Sequence, residues 1–148
     1  MSSVRWADFA ASAPELAAFG AQRFSSGVAY LGTVSALGAP RVHPVTPILA
    51  DELYLFMEPS SPKGKDLERG SLYALHCGVA NASGGEGEFY IRGRARRVQS
   101  ADERAAAAAA ASYQPAECYL LFALSVEFAF MNVYTDAEPR RMRWQAPG

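Results

Sequence analysis

The chain has 148 residues, half of them hydrophobic, with 14 Lys and Arg against 15 Asp and Glu for a net charge of −1. That length suits one domain over 1–148 with its own core and no staples of metal or disulfide. The near-neutral charge excludes a general polyanion binder, because nonspecific nucleic-acid affinity rests on an excess of Lys and Arg.

Two cysteines, Cys77 and Cys118, fall in no C-x-x-C pattern and read as reduced thiols within strands. The two histidines, His43 and His76, have no carboxylate at helical ligand spacing, so no metal is expected. The N-terminus shows no basic stretch followed by an apolar one, and no run reaches the ~20 apolar residues that cross a bilayer. A soluble, cytoplasmic protein with no membrane partner is expected.

In chain order, Ser12-Ala13-Pro14-Glu15 sets a capping hydroxyl three residues before a glutamate. Leu16, Phe19 and Arg23 continue at helical spacing, which predicts a helix ending near Ser25-Ser26-Gly27. Val28 to Ser35 reads as a strand, and Leu37-Gly38-Ala39-Pro40 supplies the turn to a second strand, Arg41 to Leu49. Pro44 and Pro47 lack backbone donors, so that second strand is an edge, a bulge, or a place where another group approaches the backbone. Leu53 to Met57 is apolar on both faces and should be covered on both.

Ser61 then caps a short helix with Pro62 at its first position and Gly70 closing it. A fourth strand spans Leu72 to Val79. The loop Asn81 to Gly87 lacks the Lys-Ser/Thr ending of a phosphate loop and reads as a flexible turn. A fifth strand, Glu88 to Val98, places Tyr90, Arg92, Arg94 and Arg96 on one face, a solvated face pairing with acidic neighbours rather than a nucleic-acid stripe. Ser100 and Glu103 form a capping box for an alanine-rich helix to Ala111. Tyr119 to Leu124 and Val126 to Tyr134 form one bent strand or two, and Arg141 to Trp144 forms a closing strand. Six or seven strands joined mostly by hairpins, with two or three helices, define a mainly β, antiparallel barrel with α-helical insertions.

The chemistry concentrates in two stretches. Lys63 follows the cap at Ser61, with Ser60 beside it, and the group offers an ammonium and hydroxyl donors to an anion. Taken alone, it is also the pattern of a solvated lysine beside an ordinary cap. Arg41 and His43, two apart on a strand, point to one side, and Phe56-Met57 offers apolar surface to a planar ring. An aromatic heterocycle bearing a phosphate suits the set. No G-x-S-x-G, no GxGxxG after a strand and no P-loop is present.

Tyr30-Leu31-Gly32-Thr33-Val34, Gly38-Ala39-Pro40-Arg41-Val42, Leu53-Tyr54-Leu55-Phe56, Ser61-Pro62-Lys63, Asp66-Leu67, Ala74-Leu75-His76 and Gly93-Arg94-Ala95 follow one another across residues 12–134. Their order and spacing resemble the pyridoxamine phosphate oxidase-like split-barrel family, which binds flavin mononucleotide (FMN), or in one branch a deazaflavin coenzyme, at a dimer interface. The resemblance implies an antiparallel split β-barrel, a homodimer, and FMN as cofactor, with 8-hydroxy-5-deazaflavin coenzyme as the alternative. It also implies a flavin-dependent oxidoreductase acting on a small molecule.

Carried over by residue, Arg41, Val42, His43, Pro44 and Val45 lie along the isoalloxazine and ribityl phosphate, with Phe56 and Met57 beside them. Ser61 and Lys63 hold the phosphate, and Trp144 approaches the ring from the other subunit. Where the vitamin-converting oxidases have an arginine this chain has Pro62, where they have a lysine it has Thr46, and for their Arg-Leu-His it has Arg141-Met142-Arg143. Those losses remove a second cation and the substrate-phosphate contacts, so oxidation of pyridoxamine phosphate is not expected. No side chain stands out as a general acid or base, and His43 is the one nearest the ring. A deazaflavin-dependent reductase and a non-catalytic flavin- or haem-binding protein are the alternatives.

Overall fold

The structure is a computed structural model that describes residues 2–25, 27–134 and 138–148. The chain opens with two helices, α1 (Trp6–Ser12) and α2 (Pro14–Phe24). At seven residues α1 is too short to stand alone, and it is held by burying Trp6 and Phe9 against Phe24 and Phe89. The expected capping box at Ser12 is not formed: α2 begins after Ala13 with no side-chain cap, and Ser12 instead ends α1. Ser26, at the expected end of the helix, lies outside the described residues.

Strands β1 (Ala29–Val34) and β2 (Pro40–Val45) form the expected hairpin. The second strand does not run on to Leu49. It breaks at Thr46-Pro47, and β3 (Ile48–Leu49) joins a different sheet, paired with β4 (Leu53–Met57). After α3 (Pro62–Glu68) and β5 (Tyr73–Cys77), the expected fifth strand also divides, into β6 (Glu88–Gly93) and β7 (Ala95–Arg97) on separate sheets. Helix α4 (Ala101–Ala110) leads to β8 (Leu120–Leu124), β9 (Phe128–Val133) and β10 (Arg140–Gln145). Of the segment expected to end at Tyr134, the stretch beyond it at 135–137 lies outside the described residues.

All pairings are antiparallel, in a six-stranded sheet ordered β10-β9-β6-β5-β1-β2 and a four-stranded sheet ordered β3-β4-β8-β7. The chain passes from one sheet to the other four times: at Thr46-Pro47, through α3 between β4 and β5, at Arg94 and at 125–127. At the Arg94 crossing a Cβ on Gly93 would stand 2.1 Å from the Ser125 carbonyl oxygen, so only glycine lets the two bends touch.

Between the sheets lie Leu31, Leu75, Phe89, Ile91, Ala129 and Met131 from one side and Leu53, Leu55, Met57, Phe122 and Leu124 from the other. The far face of the smaller sheet packs Ile48, Tyr54, Leu121 and Ala123 with Val98 and Ala107 of α4, which explains why β4 is apolar on both faces.

The loop between β5 and β6 is tied at both ends. The nearly buried Arg23 of α2 donates from Nη2 to the Gly78 carbonyl at 2.7 Å and from Nε to the Gly87 carbonyl at 3.1 Å, and Nη1 meets Glu86 at 2.9 Å. That clasp replaces the expected freely flexible turn with a loop fixed at its base. No described helix is long and apolar enough to cross a membrane.

Candidate functional site

Alternation along β2 sends Arg41, His43 and Val45 inward, opposite the buried Thr33, Leu31 and Ala29 of β1. Val42 and Pro44 point to the other face of the sheet, where Val42 is 70% exposed. Only alternate side chains of the 41–45 stretch can therefore meet a ligand on the α3 side.

Helix α3 forms as its cap predicts. Ser61 Oγ accepts from the Gly64 N–H at 3.2 Å, Pro62 occupies the first turn, and Gly70 follows with φ +94°. The feature absent from the expected set is Asp66, in the middle of α3 and 0% exposed. Its Oδ2 accepts from Thr33 Oγ1 at 2.8 Å and from Arg41 Nε at 2.8 Å, and its Oδ1 accepts from Arg69 Nη2 at 2.5 Å. One carboxylate thus ties β1 and β2 to the C-terminal end of α3. Burial pushes the Asp66 carboxyl up, but the bonds from Arg69, Thr33 and Arg41 outweigh it and hold the group below its ordinary value, so it is charged at neutral pH.

Arg41 spends only Nε on Asp66. Its two Nη nitrogens have no hydrogen bond among the described residues. Lys63 lies three residues before Asp66, on the same face of α3 with Cβ atoms about 5–6 Å apart, and it too has no ion pair or hydrogen bond among the described residues. Arg41 and Arg69 therefore share one buried negative charge, and with Lys63 on the first turn of the same helix the group carries an excess of positive charge. Also on the inward face of β2, His43 Nε2 is buried with no hydrogen-bond partner among the described residues.

Of the two apolar positions, Met57 lies under α3, its Sδ 3.6 Å from where a Cβ on Gly64 would stand, and Phe56 does not face it. Phe56 and Met57 are neighbours on a strand and face opposite ways. Phe56 carries the Arg104 guanidinium 5.0 Å from its ring centroid and packs beside α4, whereas Met57 is 2% exposed in the central core. Trp144 stands on β10, at the edge of the six-stranded sheet opposite β2, and its expected approach is to the other subunit's ring rather than to Arg41 of its own chain. Its indole packs on Phe9 at 4.9 Å and donates to Ser12 Oγ at 3.0 Å.

The fifth-strand arginines divide between the two sheets, and Arg94 and Arg96 pair with acidic neighbours as expected. Arg92 covers Phe128 and bonds Tyr90, Arg94 bonds Glu127 at 3.1 Å, and Arg97 bonds Glu68 at 2.6 Å. Arg96 bridges Glu52 at 2.7 Å and Glu103 at 2.9 Å, with Tyr54 donating to Glu103 at 2.7 Å. Bonding to Arg96 pulls the Glu103 carboxyl down to about 2. Among the described residues no three His, Cys, Asp or Glu side chains are grouped to hold a metal.

The outer face of the six-stranded sheet exposes Tyr30, Val34, Val42 and Leu72 around a depression of about 320 Å³ lined by Gly32, Ala74, Tyr90 and Arg92. Contiguous apolar surface of this kind marks contact surfaces.

Two antiparallel sheets exchanging strands around a common core, with helices at the margins, are the architecture of the split β-barrels. The fold is that of the pyridoxamine phosphate oxidase-like proteins. No protein-family model and no curated protein sequence matches the chain, but solved structures do. A Clostridium acetobutylicum protein related to general stress protein 26 of B. subtilis, of the pyridoxinephosphate oxidase family, matches with TM-score 0.59 at 13% identity over 92% of this chain and 94% of its own. PhzG from Burkholderia lata, solved with tetrahydrophenazine-1-carboxylic acid, matches with TM-score 0.63 at 12% identity over 82% and 77%. A heme binding protein from Mycobacterium smegmatis matches with TM-score 0.59 at 19% identity over 78% of this chain; the match spans about half, 52%, of that longer protein.

Proposed function

We propose that the protein binds FMN and works as a homodimeric flavin-dependent oxidoreductase on a small molecule other than pyridoxamine phosphate. The observation that carries this reading is the Arg41 guanidinium, tethered to α3 through Nε with its Nη pair free among the described residues, while Lys63, unpaired among them, stands on the first turn of the same helix. A planar fork and a point charge together suit a terminal phosphate.

Arg41 and Lys63 take the phosphate, and the Ser61 hydroxyl can still donate its proton while its oxygen caps α3. The buried, unpartnered His43 Nε2 meets a polar group of the cofactor, which relieves an unsatisfied site. The flavin supplies the electron transfer when bound, and the protein supplies orientation and access. With Thr46 and Pro62 at the two positions noted above, no cation is placed for a substrate phosphate, so a neutral substrate is favoured. The exposed Tyr30–Val42 face of the larger sheet supports the second copy.

A free imidazole nitrogen is also what haem iron takes, and this makes haem binding the second reading. The visible spectrum of the purified protein, followed by separate titrations with FMN, the deazaflavin coenzyme and haemin, decides among them. FMN uptake is the expected result. Uptake of haemin or deazaflavin alone reassigns the site, and no uptake of any of the three refutes it. Stopped-flow reduction of the loaded protein by NADH or NADPH then separates a catalyst from a carrier.

A further inference from the structure

A fully buried carboxylate bonded to two arginines is unusual in a chain whose other acidic side chains mostly meet their partners near the surface. Asp66 reaches Arg41 across from α3 to β2 and leaves that arginine's fork unbonded among the described residues. An Nε bond restricts how the guanidinium turns on its stem, and because Nε and both Nη are coplanar the fork turns with it. The Thr33 hydroxyl shares Oδ2 and Arg69 occupies Oδ1, so each carboxylate oxygen is held and the acceptor for Nε cannot swing away.

We infer that Asp66 is a positioning residue for the anionic group of the ligand, holding the Arg41 fork in the orientation that receives a phosphate. The inference rests on the phosphate reading above and adds a residue that touches no ligand. Its sign is testable. Asp66 is negative, and erasing that charge would by loss of Coulomb repulsion alone tighten an anion nearby, whereas losing the orientation of Arg41 loosens it.

The experiment titrates FMN and riboflavin, which lacks the phosphate, into wild type, Asp66→Asn and Thr33→Val. Asp66→Asn should weaken FMN about tenfold, the scale of one misplaced charge-assisted bond, and leave riboflavin within about twofold. Thr33→Val should move FMN in the same direction by less, and it carries the test if Asp66→Asn fails to fold. Equal losses for both flavins indicate a structural role only and overturn the inference, as does FMN affinity that is unchanged or tighter. If wild type binds neither flavin, the FMN reading fails. Titration of wild type and Asp66→Asn with inorganic phosphate then decides the positioning role: about tenfold weaker binding supports it, and equal or absent binding overturns it.

Discussion

Arg41→Ala strips one of three donors from a carboxylate that water does not reach. Asp66 Oδ2 loses its 2.8 Å bond from Nε and keeps Thr33, while Oδ1 keeps Arg69 at 2.5 Å. A hydrogen bond to a charged group contributes about 1.5–3 kcal/mol, and stripping a buried pair of its only partner costs about 3–5 kcal/mol. Asp66 retains one arginine, and Arg41 is itself 37% exposed and partly screened, so about 2 kcal/mol is expected. For a chain of this length that is roughly 4–8 °C in Tm.

Urea unfolding at pH 7, followed by the fluorescence of Trp6 and Trp144, measures it on wild type, Arg41→Ala, Asp66→Asn and the double variant. The double variant should be less destabilised than the sum of the singles. Additivity within about 0.5 kcal/mol would refute the coupling.

The pH dependence follows from the depressed Asp66 pKa. A carboxyl lower in the folded than in the unfolded state contributes stability above its ordinary value of 3.8, and that contribution is lost as pH falls through the folded pKa. Arg41→Ala removes one of the bonds that lower it while burial still raises it. The wild type's advantage should therefore be full at neutral pH and shrink as pH falls through 3.8 and below.

Three further outcomes are expected. Gly93→Ala places a methyl 2.1 Å from the Ser125 carbonyl and should cost about 3 kcal/mol or more, so a wild-type melting curve would contradict the contact. Tyr54→Phe deletes the hydroxyl donating to Glu103 at 2.7 Å and should lose about 1–2 kcal/mol in urea unfolding, with no loss meaning the bond contributes nothing. Val42→Arg puts a charge on the exposed outer face of the edge strand β2 and should convert the proposed dimer to monomer in sedimentation; an unchanged sedimentation coefficient argues against that face as the dimer contact.

Features written in short, local patterns are legible in the amino-acid sequence alone. Ser61-Pro62 and Gly70 bound α3, and Ser100 starts α4, because caps depend on residues three apart. The Glu103 half of that second box departs from the pattern: its carboxylate turns to Tyr54 and Arg96 rather than back to the cap. Helix α1 is invisible at that level because its stability comes from Trp6 and Phe9 meeting side chains such as Phe89 and Trp144, all far along the chain. The crossings at Thr46-Pro47 and Arg94 are hidden for a related reason. A strand that changes sheet keeps its alternation on either side of the bend, and only the prolines and Gly93 hint that the partner changes.

Within the candidate site, Arg41 and Lys63 are legible as cations. Asp66 is not, since a helix sequence such as Lys63-Gly64-Lys65-Asp66 looks solvated until Thr33 and Arg41 are folded over it.

The Arg23 clasp has a consequence for how the molecule tolerates change. One guanidinium closes the base of the 78–87 loop from a helix that lies 55 residues before one end of it and 64 before the other. Lengthening the tip around Ser83 leaves that closure intact, because an added residue enlarges a loop whose ends are already fastened and costs only a slowly growing entropy. Trimming the first 24 residues does the opposite, and unfastens a hairpin that the deletion never reaches.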